Sequence, residues 1–210
     1  MAQALKHYTP SGAHYYTDEL GLKLNNVTTL LKAFEDHALL DRVPEARRYI
    51  TVWPKRPFVE SPATLKGKEV HAWIERFIVT QGDAGPALLN EEQGFMDWWL
   101  KGQVEFFSSE EILFDMAQRL AGTLDTTCRV QLANRYLTDF KTGRKVYGTT
   151  WLQLGAYWKM IRPGRVDGTA CLHLKDDGTF EFIAVSAAKS EELGDLFFKL
   201  LKTAREMRLV

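Results

Sequence analysis

The sequence is poor in cysteine. Cys128 and Cys171 are the only two in 210 residues, too few for a four-thiolate zinc or iron–sulfur site and no basis for a disulfide framework. That usage suits a reducing, intracellular setting. No apolar run is long enough to cross a membrane. A charged-then-apolar leader is also missing, and Asp18 and Glu19 come early, so no signal or transit peptide is expected. Nor is there an excess of either charge: 27 Lys and Arg balance 27 Asp and Glu. This counts against a protein that coats nucleic acid through bulk charge, but not against one that grips it locally. Internal repeats and low-complexity tracts are absent. What is present, 45% hydrophobic and 26% charged residues, builds one domain over residues 1–210 with a substantial core.

Hydrophobic periodicity divides the chain into elements. Residues 1–24 read as an N-terminal arm, with a short aromatic hairpin around Pro10-Ser11-Gly12. Asn25-Asn26 then offers an N-cap to an amphipathic helix that presents Val27, Leu30, Leu31 and Phe34. Residues 41–63, with four prolines, read as irregular. Helical spacing returns over 64–80 and again over 90–101. Three strand-like runs follow, at Val104–Asp115, Arg119–Val130 and Leu132–Phe140, as an antiparallel meander. A helix is expected over 149–161. A hairpin then turns at Asp176-Asp177-Gly178, between strands at 169–175 and 179–185, and a final amphipathic helix covers 189–208. The order predicts a mixed α/β fold with a central mixed sheet flanked by helices.

Within this frame Asp139-Phe140-Lys141 stands out. An acid two residues before a lysine on a strand puts both side chains on one face. Alone, it reads as a strand ending in the solvated turn Thr142-Gly143. Asp125 comes fourteen positions earlier, behind Gly122, a glycine that suggests something approaches the strand closely there. Two carboxylates on adjacent strands repel unless a cation lies between them, and a hard divalent ion suits them. His71 interrupts the amphipathic pattern of the 64–80 helix; as a ligand its imidazole would make Mn²⁺ plausible beside Mg²⁺. Glu110 and Glu111 alternate faces on their strand, so one of them can join the site, and Glu110 is the choice. Gln153 and Tyr157 share a helix face at a spacing of four. Arg144 and Lys145 add charge beside Lys141, and Arg42, Arg47, Arg48, Lys55 and Arg56 form a second basic region.

Taken in order, Gly67-Lys68-Glu69-Val70-His71, Glu110, Gly122-Thr123-Leu124-Asp125, Asp139-Phe140-Lys141 and Gln153 to Tyr157 resemble the PD-(D/E)XK nuclease superfamily. The likeness is greatest to its RecB-like exonuclease branch, which includes phage exonucleases and the mitochondrial genome maintenance exonuclease. It runs from about residue 24 to 205. Two departures stand out: Leu124 occupies the place of the proline in the family's name, and the four cysteines of the iron–sulfur relatives are missing.

The resemblance implies a restriction-endonuclease-like core and a metal-dependent exonuclease that hydrolyses DNA in phage or bacterial recombination, repair or replication. Asp125 and Asp139 would bind Mg²⁺ or Mn²⁺, with His71 and the Phe140 carbonyl as further ligands and no iron–sulfur cluster. Lys141 would orient or help deprotonate the attacking water, and Glu110 would carry a water or a second metal. Gln153, Tyr157, Arg144 and Lys145 would contact the substrate or fix the Asp139–Lys141 segment. The implied partners are linear DNA with ends and, by analogy, a strand-annealing or recombination protein. An oligomer is compatible with it, a membrane is not. The implied setting is the cytoplasm of a bacterium or a phage-infected cell. A structure-specific endonuclease of the same fold and a non-catalytic nucleic-acid-binding protein are the alternatives.

Overall fold

The structure, a computed structural model, describes residues 4–8, 14–54, 60–161 and 166–210. It is mixed α/β, as the order of elements predicts. Six α-helices and ten strands form among the described residues, the strands in two five-stranded sheets. No helix among them is long and apolar enough to cross a membrane.

The first sheet runs in the order β1 (Leu5–Tyr8), β2 (His14–Thr17), β3 (Lys23–Asn26), β6 (Leu120–Leu124), β5 (Glu111–Asp115). The second runs β10 (Phe180–Ser186), β9 (Gly168–Leu174), β8 (Asn134–Thr142), β7 (Thr126–Val130), β4 (Glu105–Phe106). The N-terminal arm is thus the outer edge of the first sheet, although the turn expected at Pro10-Ser11-Gly12 lies outside the described residues.

Two expected strands are corrected. The 104–115 run divides into β4 and β5, and the 119–130 run into β6 and β7, with one half of each in either sheet. The breaks fall side by side. Asp125 separates β6 from β7, and Glu110, in the left-handed region at φ 50°, opens β5. The Glu110 N–H donates to the Asp125 carbonyl at 2.9 Å. Strands that change sheets through such bends open a gap between them. The expected meander is therefore two antiparallel hairpins in different sheets, β5–β6 and β7–β8, and β8 then pairs with β9 in parallel.

The helices follow their caps. Asn26 accepts from the Thr28 N–H to start α1 (Val27–Ala33), and Asp36 does the same for α2 (His37–Arg42) through Leu39. The segment expected to be irregular is partly ordered: a 3-10 turn spans Pro44–Arg48. Pro62 belongs to the first turn of α3 (Pro62–Val79), capped by Ser61. Residues 55–59, with Lys55 and Arg56, lie outside the described residues. α4 (Asn90–Gly102) packs with α3 on one face of the second sheet, around Phe77, Phe95, Trp98 and Phe140. On the other side, α5 (Gly148–Met160) and α6 (Ala187–Glu206) bury Leu152, Leu193, Phe197 and Leu200 with α1.

The α5–α6 crossing depends on two small residues. A Cβ on Gly155 would lie 2.6 Å from the Gly194 nitrogen, and one on Gly194 would lie 2.7 Å from the Gly155 oxygen. Backbone has nowhere to move in such a contact. Gly155→Ala therefore destabilises the protein by about 1–3 kcal/mol through overpacking, read as a lower urea midpoint with an unchanged denaturant slope.

Candidate metal-binding and lysine site

The gap where the two sheets part gathers the acids and the lysine. β8 extends beyond its pairing with β7, which ends at Thr126 opposite Thr138. Residues 139–142 thus keep β9 on one side and leave the other edge toward Asp125. The Phe140 N–H uses that edge, donating to Asp125 Oδ2 at 2.6 Å. In a strand a residue's N–H and C=O point the same way, so the Phe140 carbonyl turns toward the same gap. The Phe140 ring points the other way, into the α3–α4 core, and packs edge-on to His71 with centroids 6.2 Å apart.

Alternation then places Asp139 and Lys141 together. Lys141 Nζ lies 2.5 Å from Asp139 Oδ2. The other carboxylate oxygen, Asp139 Oδ1, accepts from Gln153 Nε2 at 3.3 Å, and the same amide nitrogen donates to the Tyr157 hydroxyl at 3.2 Å. Gln153 and Tyr157 are buried on α5, so they stand behind Asp139 and hold it, rather than lying at the surface as substrate contacts. The close approach suggested at Gly122 is the Tyr157 ring: a Cβ there would come within 2.6 Å of Cε1.

His71 reaches the gap from α3, its Nδ1 3.7 Å from Asp125 Oδ2. Glu110 lines the same cavity as His71, Glu75, Lys141 and Thr142. Its carboxylate meets Lys6 Nζ at 3.3 Å. Lys6 is a site neighbour that sequence reasoning missed. It lies more than a hundred residues away on β1, and only the pairing of the arm with the first sheet brings it there. The left-handed conformation of Glu110 interrupts the alternation expected of it and Glu111; its place in the cavity rests on the bend.

Arg144 and Lys145 are exposed on the loop after β8. His173 Nε2 bonds the Gly143 carbonyl of that loop at 2.8 Å. Of the second basic region, Arg47 pairs with Asp41 and Arg48 with Glu192.

Electrostatics follow from this packing. Burial pushes the Asp125 carboxyl up to about 6, and the Asp139 carboxylate adds to the push, while His71, Lys141 and the Phe140 N–H oppose it. Burial works against the Lys141 ammonium, but Asp139 and Asp125 outweigh it and hold its pKa above the ordinary lysine value. The Tyr157 phenol lies well above its ordinary value, chiefly from burial.

Among the described residues, no three His, Cys, Asp or Glu side chains are gathered so as to enclose an ion. The donors nonetheless suit a hard cation. Asp139 Oδ2 is buried and receives no hydrogen bond besides its ion pair with Lys141. Asp125 is a carboxylate that burial and a like charge disfavour, and a divalent ion relieves both conditions.

No protein-family model matches the chain, and no curated protein sequence does. It is similar to a solved structure described as "Crystal structure of SSO0001", at 13% identity over 84% of this chain and 75% of that one, with a TM-score of 0.40. That likeness is too distant to bear on the chemistry.

Proposed function

We propose that the chain is a metal-dependent DNA exonuclease of the PD-(D/E)XK superfamily, in its RecB-like branch. One observation carries the reading. Asp125, Asp139, Lys141 and the Phe140 backbone converge at the parting of two sheets, with His71 facing them from α3.

In this reading Asp125, Asp139 and the Phe140 carbonyl hold Mg²⁺ or Mn²⁺, with His71 beside Asp125. The ion supplies a water of lowered pKa and offsets charge on the phosphate. The rest falls to the chain itself. Gln153 fixes one oxygen of Asp139, which leaves the other turned to Lys141. Lys141 donates from its ammonium to the attacking water or a phosphate oxygen, where negative charge develops. Its ammonium is held by the ion pair with Asp139. Arg144 and Lys145, exposed beside it, steer the DNA backbone toward the gap. Glu110 sits at the far wall of the cavity, its charge balanced by Lys6.

Digestion of end-labelled linear DNA and of a closed circle, with Mg²⁺ or Mn²⁺ and then with EDTA, tests this. Labelled linear DNA is degraded, the circle survives and EDTA stops the reaction. A cut circle shifts the reading to an endonuclease of the same fold. Binding without turnover would make the chain a non-catalytic DNA-binding protein.

A further inference from the structure

A second groove opens beside the proposed site. It is lined by Phe77, Trp99, Glu105, Phe106, Phe107 and Ser109, with a volume of about 570 Å³, within the usual range of ligand pockets. Two elements line both it and the site cavity. α3 contributes Phe77 to the groove and Glu75 to the cavity, and Ser109 lines the groove where its neighbour Glu110 lines the cavity.

Its outer wall is an aromatic ring dressed with cations. Phe107 is 40% exposed, held by its N–H to the Thr127 carbonyl at 2.8 Å. The Arg135 guanidinium lies 4.5 Å from the Phe107 ring centre, and that of Arg129 lies 5.9 Å away. The two arginines face each other across β7 and β8, so both reach the same side of the sheet. Arg129 is ion-paired with Glu105, which neutralises the one acid of the groove wall. Among the described residues Arg135 forms no ion pair, so its charge is available. Ser109 Oγ is sheltered and has no hydrogen-bond partner among the described residues, a polar atom that calls for an outside partner.

We propose that this groove is a stacking site for an unpaired nucleobase of the strand whose phosphate lies at Asp139. The inference rests on the nuclease reading above and adds a preference for a single-stranded segment. A half-exposed ring with the Arg135 guanidinium lying over it suits a base better than a bare phosphate or an aliphatic side chain. Phe107 is three residues from Glu110, at most about 10 Å of chain. The bound base therefore lies beside the site cavity, a short way along the strand from the phosphate to be cut. Arg135 neutralises the backbone linking the two.

Fluorescence anisotropy in EDTA, with a labelled single strand and a blunt duplex of equal length, tests the groove without requiring cleavage. Phe107→Ala weakens single-strand binding roughly tenfold to a hundredfold and leaves duplex binding unchanged, and Phe107→Trp restores the single-strand value. Arg135→Ala weakens single-strand binding as well and flattens its dependence on salt. If Phe107→Ala lowers the melting temperature, Phe107→Leu keeps the apolar bulk without the ring and replaces it in the test. The stacking site is overturned if the variant binds single strands as tightly as wild type, or if both DNAs weaken alike. Failure of the nuclease reading looks different: wild type then cuts no linear DNA with Mg²⁺ or Mn²⁺, and the anisotropy series still decides the groove.

Discussion

Lys141→Ala lowers the turnover of linear DNA by about a hundredfold to a thousandfold, the usual loss when one donor to a developing oxyanion is removed. It also uncovers a second effect. Asp139 is buried, and Lys141 at 2.5 Å is the ion partner of its Oδ2. Removing one member of a buried pair leaves the other charge uncompensated, so the metal-free variant melts below wild type. Saturating Mn²⁺ compensates the carboxylate and recovers melting temperature, but it does not recover turnover. That split separates a reacting lysine from a structural one. Asp139→Asn behaves differently, losing turnover together with the thermal response to Mn²⁺. A Lys141→Ala protein that digests DNA at the wild-type rate would sink the proposed mechanism.

Asp125 yields the second large effect, one of pH. Its carboxyl titrates at about 6 in the folded protein, against an ordinary 3.8. A raised pKa means that the native state binds the proton more tightly than the unfolded chain does. The contribution of Asp125 to stability is therefore fully present below pH 4 and is lost as pH rises through 6. Each tenfold difference in proton affinity between the two states is worth about 1.4 kcal/mol, so the loss is on the order of 3 kcal/mol. Urea melts of wild type and Asp125→Asn in EDTA measure it as a difference. The wild type loses ground to the variant between pH 4 and 6.5, and the gap then levels off. With Mg²⁺ or Mn²⁺ the neutral-pH loss shrinks in wild type alone, because the ion favours the charged carboxylate. A pH-independent gap would mean that Asp125 is neither buried against Asp139 nor set to receive a cation.

Local features of the site were legible in the sequence. The Asp139–Lys141 spacing puts two side chains on one face of any strand, and the Gln153–Tyr157 spacing does so on any helix. Gly122 announced a close neighbour, which proved to be the Tyr157 ring. Alternation allowed only one of Glu110 and Glu111 into the site without saying which, and the left-handed backbone of Glu110 breaks that alternation. Lys6 carried no signal at all, because an isolated lysine in an aromatic arm looks like any surface lysine.

The sequence by itself determined part of the element list: the helix capped at Asn26, the Asp176-Asp177-Gly178 hairpin, the final helix, and the placing of acid and lysine on one strand. These depend on contacts within a few residues, where propensity, capping and periodicity act. Only the tertiary structure decided that Asp125 sits at a break between sheets, that Glu110 bends beside it, and that Lys6 and His71 arrive from β1 and α3. A strand that continues and one that changes partners share the same alternation of side chains. The choice lies in which distant strand takes up the backbone hydrogen bonds, and that is settled when the two sheets pack.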